Sequence, residues 1–381
     1  MIKCNVCNSS LINKVYDTAG ATSITSVCTT VEYPTEVYYC TCCEHIQTLE
    51  MPDELSYYDE TYNFLAESEE EDQVYIVEDG EIVYRTQHQV TTMLKKLVLP
   101  NGSRVLDYGC AKSSTMRELT RRGLSITPYL FDISERYTSY WQEFIEDGKW
   151  ATYKIPEDWN NHFNVVTSFF SLEHISKLSE TLQSIRKVLI DGGKLYAIIP
   201  NTQTNPADLI VVDHPNHFTK ASLERLLFDN DFSVIEIDDT AHRGAYVVVA
   251  EKTTPQKRPQ TPDKSLEEVI SAMGDFWKDA ALRVKNFEKN EAKGLVCAIY
   301  GAGFYGSFLA SNLNEFDSVK YFLDQNPFLH GTKLMGRPII HPKELPKEID
   351  VIYVALNPKH SKAIISEIEC LSTRNISYFY I

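Results

Sequence analysis

The sequence predicts an α/β protein organised around a doubly wound parallel sheet, with a small module before it and a second, smaller α/β domain after it. Three observations carry this. From Ser103 to Lys252, apolar runs of strand length alternate with amphipathic runs of helix length, the pattern of a parallel sheet with helices on both faces. Six of the nine cysteines fall within the first 43 residues. A second strand–glycine turn–helix pattern, "VCAIYGAGFYGSFLASNL", lies beyond "TTPQKRPQTPDKS", whose Pro, Lys and Thr content marks a linker. At 381 residues the chain exceeds one ordinary core. The expected divisions are residues 1–55, 56–252, a linker over 253–265, and 266–381.

In the first division, Cys4 and Cys7 ("CNVC") and Cys40 and Cys43 ("CTCC") form two pairs with two residues between members. A tight turn holds each pair, and two such turns facing one another supply the four thiolates of a tetrahedral zinc site. Cys28, Cys42 and His45 are the alternates in another register. Four thiolates close the shell, so the Zn2+ is expected to be structural. So short a segment also buries too little apolar surface to stand without it.

The formal net charge of -16 argues against nucleic acid as a partner. Hydrophobic residues at 43% and charged residues at 24% give the balance of a soluble globular protein. No apolar run is long enough for a membrane span, and "MIKCNVCNSS" lacks a secretory layout, so a cytoplasmic location is expected. The composition leaves the oligomeric state open.

The second division opens on "LSYYDETYNFLAESEEED". Its acidic run, Glu67 to Asp72, reads as a solvated loop, and its tyrosines as part of a lid over a neighbouring site. "QHQVTTMLKKLVL" has helical spacing and ends at the turn "PNGS". Next come the strand "RVLDYG", a helix "STMRELTRRG" stopped by Gly123, and the strand "ITPYLFD" ending at Asp132. "FNVVTSFFSLEHI" is a further strand, followed by the helix "LSETLQSIRKVLI", the turn "DGG" and the strand "KLYAIIP". In such sheets the ligand sits at the carboxyl ends of the strands. Asp107, Asp132 and the run Ser171-Leu172-Glu173-His174 fall at those ends and should line one cleft. Asp132 is placed to accept hydrogen bonds from ribose hydroxyls, and Gly109 lets the backbone approach a ligand with no side chain between them.

"VLDYGCAKS", then "FDIS", then "SLEHI" resemble the S-adenosylmethionine site of class I methyltransferases. The resemblance implies a class I methyltransferase-like sheet and a cofactor set of Asp107, Gly109, Cys110, Ala111, Asp132, Ile133, Ser171 and Leu172. Gly109 would lie at the methionine end, Asp132 at the ribose and the Asp158 region near the adenine. The usual glycine-rich turn keeps only Gly109 here. Methyl transfer is an in-line displacement, so the protein must position a nucleophile and take its proton. "DHPNHFTKASLERLLFDNDF" supplies His214 and His217 before a helix, and His174 is a third candidate.

In the last division a long helix pattern, "SLEEVISAMGDFWKDAALRVKNFEKN", precedes Gly301, Gly303 and Gly306, which spell GxGxxG, and Asp324 ends the next strand, "VKYFLD". Taken alone this Rossmann-like fingerprint points to an NAD-dependent oxidoreductase. After Asp324 only one more strand, "DVIYVAL", is evident, which is short for a dinucleotide fold. The turn then serves close packing or a phosphate of the substrate.

The order of parts is similar to the zinc-containing sugar C-methyltransferases. "CTCCEHIQTL", "YGAGFYGSFLASNL", "FLDQNPFLHGTKLMGRPI" and "VIYVALNP" carry that likeness. It implies a sugar nucleotide or sugar phosphate as small-molecule partner, contacted by Glu173, Asn201, Gly301, Gly303 and Tyr305. It also implies His217 as base with His214 assisting. The family's Glu-His-Phe reads Asn216-His217-Phe218 here, and His214 stands at the position of a Tyr. Carbon and oxygen therefore both stay open as the methylated atom. A non-catalytic zinc-containing scaffold is the reading from another class.

Overall fold

The computed structural model describes residues 2–18, 20, 22–52, 57–62, 68–78, 81–254, 265–372 and 374–381. Most of the expected linker over 253–265 thus lies outside the described residues, as does Glu67. The chain forms two compact units: residues 1–15, 37–208 and 213–270, and residues 16–36, 209–212 and 271–381. The cysteine-bearing ends of the N-terminal segment belong to the first unit, and the stretch between them to the second.

The first unit is built on seven strands: β1 (Ser103–Tyr108), β2 (Ile126–Asp132), β3 (Trp150–Thr152), β4 (Phe163–Phe169), β5 (Leu189–Pro200), β6 (Phe232–His242) and β7 (Ala245–Lys252). Their order is β3-β2-β1-β4-β5-β7-β6. The first five are parallel, and β7 runs antiparallel to both its neighbours. Strand order reverses between β1 and β4, which is where such sheets open a ligand crevice. Alternate side chains of β1 feed opposite cores. Val105 packs with Val90, Met93, Met116 and Trp141, from the helices Arg85–Lys96, Ser114–Arg121 and Thr138–Gln142. Leu106 packs with Phe163, Leu182, Ile185 and Leu226, the last three on the helices Leu178–Val188 and Lys220–Asp229. Strands buried on both faces need near-continuous apolar runs, and "RVLDYG" and "FNVVTSF" supply them.

A smaller antiparallel sheet carries the N-terminal segment. Val37 and Tyr39 pair with Thr48 and Ile46, and the strand Ile46–Thr48 pairs in turn with the two-residue strand Asn216–His217. The segment that bears the histidines is therefore held in register by the cysteine module.

In the second unit five parallel strands run in the order Arg337–Ile340, Val319–Leu323, Cys297–Tyr300, Val351–Val354, Ser377–Tyr380. The first and last were not legible in the sequence. One is interrupted by Pro338 and meets Val319–Leu323 through Ile339 and Ile340 alone, with Lys333–Leu334 pairing antiparallel on its other side. The other is four residues at the end of the chain. The sheet is thus larger than the reading of a single further strand after Asp324 allowed. No helix among the described residues is long and apolar enough to cross a membrane.

Candidate active site

The carboxyl ends of β1, β2 and β4 bring together the residues singled out in the sequence. Asp107 is buried, and its carboxylate accepts from Thr167 Oγ1 (2.9 Å), Thr115 Oγ1 (3.1 Å) and Ser113 Oγ (3.2 Å). Asp132 accepts from the amides of Ala111 (2.8 Å) and Ser134 (3.2 Å), which leaves carboxylate lone pairs for a ligand. Burial pushes both carboxyls up to about 6, against the pull of these donors. Gly109 has φ +71°, and a Cβ there would stand 2.1 Å from Ser171 Oγ. The turn and the Ser171 run are therefore in contact, as parts of one edge.

The missing glycines are compensated in the backbone. Ala111 and Ser113 take φ +45° and +58°, so Gly109-x-Ala111-x-Ser113 has positive φ at each position where a glycine-rich turn would use glycine. Left-handed backbone at non-glycine residues costs on the order of 1–2 kcal/mol each and persists only where the surroundings impose it. Cys110 points into the core, with Sγ toward the Ala111 carbonyl, and Leu172 is buried as well. Ile133 is exposed beside Asp132. Of the expected cofactor set, Cys110 and Leu172 thus pack the site from behind. The acidic run is a correction: it is not simply a solvated loop. Lys112 Nζ donates to the carbonyls of Ser68 (2.8 Å) and Glu71 (2.6 Å), and Arg117 pairs with Glu69, so the cations of the turn and its helix draw the run down onto them.

Beside this edge lies a buried polar cluster. Asp208 accepts from His214 Nδ1 (2.7 Å), His217 Nδ1 (2.9 Å) and Thr202 Oγ1 (2.6 Å). Burial works against its charge, but His217 and His214 outweigh it and hold the carboxyl well below the usual range. Burial likewise opposes a charge on His214, yet the bond to Asp208 pushes it up to about 9. His217 is 0% exposed, and its Nε2 is taken by Thr48 Oγ1 at 2.7 Å. Both ring nitrogens of His217 are thus engaged within the protein. His214 stands in front of it, its ring 4.5 Å from that of His174 and nearly perpendicular. Burial and the charge of His214 lower His174 to about 4. Burial raises Glu173 to about 8, and its Oε2 has no partner. Tyr57 and Tyr58 reach the same place, at Asp213 Oδ2 (3.3 Å) and His174 Nδ1 (3.0 Å). Asn201, read as a substrate contact, is buried at the end of β5, its Oδ1 accepting from Gln203 N.

Sγ atoms of Cys4, Cys7, Cys40 and Cys43 all lie within 4.8 Å of one another, with Cys4–Cys43 at 3.6 Å and Cys7–Cys40 at 3.5 Å. Bonds of about 2.3 Å in a tetrahedron place sulfurs about 3.8 Å apart, so the donor set fits zinc. Both turns are built alike. Asn8 and Glu44, each just after the second cysteine of a pair, have φ +59° and +61° and donate to the carbonyls of Cys4 and Cys40. Cys42 is exposed, and His45 is bonded to Asn216 Oδ1 at 3.2 Å, so neither alternate joins the cluster; Cys28 belongs to the other unit.

The glycine turn of the second unit is built like the first, with the aspartate-bound amide one residue nearer its glycine. Gly301 N donates to Leu323 O as Gly109 N does to Phe131 O, and Asp324 accepts from Ala302 N (2.9 Å) as Asp132 does from Ala111 N. Packing also demands two of its glycines. A Cβ on Gly301 would lie 2.4 Å from Ala355 O, and one on Gly306 would lie 2.1 Å from Gly301 O, whereas Gly303 faces open space. Tyr305 rests beside Trp277.

Residues 81–237 match the family model of a methyltransferase domain. Among solved structures, an S-adenosylmethionine-dependent methyltransferase from Mesorhizobium loti is 14% identical over 43% of this chain and 97% of its own, with a TM-score of 0.36. One from Aquifex aeolicus is 17% identical over 43% and 89%, with a TM-score of 0.35. A chain from the Haloferax volcanii complex of the Trm112 methyltransferase activator with a candidate methyltransferase is 16% identical over 44% and 91%, at 0.38. No curated protein matches the sequence. The matched residues hold the five parallel strands of the central sheet, the Gly109 turn and Asp132.

Proposed function

We propose that the chain transfers the methyl group of S-adenosylmethionine to a nucleotide-activated or phosphorylated sugar, with a structural Zn2+ held by Cys4, Cys7, Cys40 and Cys43. One observation carries this reading: the carboxyl edge sets the Gly109 turn and Asp132 directly against the run that bears Glu173 and His174. Asp132 takes the ribose hydroxyls, and the turn seats the methionine end. The acceptor faces Glu173, His174 and His214, and that cluster promotes the loss of its proton. His217 is a positioning residue, acting on His214 through Asp208. The sugar rests on the likeness in the order of parts, and on a glycine turn in the second unit with an aspartate at its strand end. Calorimetric titration with S-adenosylhomocysteine tests the donor; no heat at millimolar ligand overturns it.

Affinity for S-adenosylhomocysteine is expected to depend on pH. Ribose hydroxyls donate to a charged carboxylate, so binding is full above the Asp132 value of about 6 and weakens as pH falls through it. The loss is about tenfold between pH 7 and pH 5 for each carboxylate engaged. Titrations at the two values show it, and Asp132→Asn should flatten the difference.

Asp208→Asn keeps the shape but leaves one acceptor for two histidines. Methyl transfer should fall by about 10- to 100-fold, the usual range for outer partners. Binding of S-adenosylhomocysteine should stay within about threefold. Initial rates at saturating donor, with calorimetry, separate the two.

A further inference from the structure

We infer that Glu173, His174 and His214 form a site for a divalent first-row transition cation that carries an oxygen of the acceptor. One ligand atom from each of the three lies within 4.8 Å of the others. Glu173 is 1% exposed, and its Oε2 has no hydrogen-bond partner. A buried carboxylate oxygen left bare is costly and asks for an occupant.

The histidines are prepared as ligands. His214 Nδ1 faces Asp208 Oδ1 at 2.7 Å, and His174 Nδ1 faces the Asp213 carbonyl at 2.8 Å. Asp208 and the Asp213 carbonyl only accept, so each Nδ1 turns its proton to them, with Tyr58 Oη also at His174 Nδ1 at 3.0 Å. Nε2 is the nitrogen left for a metal, which on His214 displaces a second proton as it binds. Metal-bound histidines are almost always held this way by a carboxylate or carbonyl behind them. Two imidazole nitrogens and one carboxyl oxygen, with further positions open, suit Mn2+, Fe2+, Co2+ or Zn2+ better than Mg2+ or Ca2+. The cysteine cluster differs in both respects, being soft and closed.

This deepens the methyl-transfer reading and rests on it. The cation would draw in a hydroxyl or carbonyl oxygen of the acceptor and weaken its hold on the proton, which passes to solvent water rather than to the ligating side chains. It would stabilise the oxyanion or enolate whose electron pair then attacks the methyl group as its bond to sulfur breaks. His214 then meets the acceptor through the metal, and Asp208 with His217 behind it sets the ring.

Mn2+ is the probe, because thiolates bind it poorly. The zinc-loaded full chain is titrated with Mn2+, and the free ion is followed by its paramagnetic resonance signal. One Mn2+ per chain is expected. Glu173→Gln and His174→Gln should each weaken it at least tenfold, with melting temperature in the absence of Mn2+ and affinity for S-adenosylhomocysteine retained. If one variant fails to fold, the other decides. Wild-type protein that binds no Mn2+ at millimolar concentration, or variants that bind it equally well, overturns the site. Failure of Mn2+ with S-adenosylhomocysteine still bound defeats the cation alone. Failure of S-adenosylhomocysteine defeats the methyl-transfer reading whatever the Mn2+ count.

Discussion

Gly109→Ala is expected to cost about 2–5 kcal/mol of stability and to abolish measurable binding of S-adenosylhomocysteine. Two separate penalties add. The residue holds φ +71°, where a side chain costs on the order of 1–2 kcal/mol. The new Cβ would also fall 2.7 Å from Ser171 Cβ, an overlap that no rotamer change relieves and that typically costs about 1–3 kcal/mol. Relief requires the backbone to move, and the backbone at Ser171 leads straight into Leu172–His174. The substitution thus disturbs the cofactor turn and the acceptor face together. Ser171→Gly in the same chain removes the overlap but not the φ penalty, so about half the stability should return. Urea unfolding of the three variants, with calorimetry, checks this. A Gly109→Ala protein as stable as its parent, with cofactor affinity intact, means that the turn is not the cofactor's seat.

The fold was legible where structure follows from neighbours in the chain. Strands such as "RVLDYG" are buried on both faces and announce themselves as apolar runs, and the cysteine pairs close turns four residues long. What could not be read depends on partners distant in sequence. Asp208 sits in "NPADLIVVDH" with no motif around it, yet two histidines and Thr202 converge on it. His217 looked like the natural base by its family position, but a threonine from the N-terminal segment closes its second nitrogen. The acidic run looked solvated because its partners, Lys112 and Arg117, lie some forty residues later. The weakened glycine motif misled in the other direction. Ala111 and Ser113 keep the turn's conformation without the residues that usually signal it. A spacing of alternate positions, rather than glycine identity, was the signal available.

Loss of the metal from the four-cysteine cluster should remove methyl transfer while sparing the cofactor. The four thiols hold the two turns that frame Ile46–Thr48, and this strand pairs with Asn216–His217. Asn216 is a bracket between the two: its Oδ1 accepts from Asn5 Nδ2 at 3.0 Å and its Nδ2 donates to Ile175 O at 2.8 Å. Thr48 meanwhile fixes His217. Structural zinc supplies about 10 kcal/mol or more of folding free energy to a small module, far above what two residues of strand pairing can replace. Without it the His217–Asp208–His214 chain loses its outer wall. The Gly109 turn is held by Asp132 and, through Lys112, by the acidic run, and none of these bonds goes to the cysteine module, so they keep their geometry. Cys40→Ser takes the cluster alone and leaves any cation on the histidines, which a chelator would not. Methyl transfer should fall at least about 100-fold, with affinity for S-adenosylhomocysteine within about threefold and the remaining cysteine thiols newly reactive. Turnover that survives in this variant would show the module to be dispensable to the active site. Cofactor binding that collapses in step with activity would show instead that the module supports the whole sheet, and the division of labour argued from Asn216 would fail.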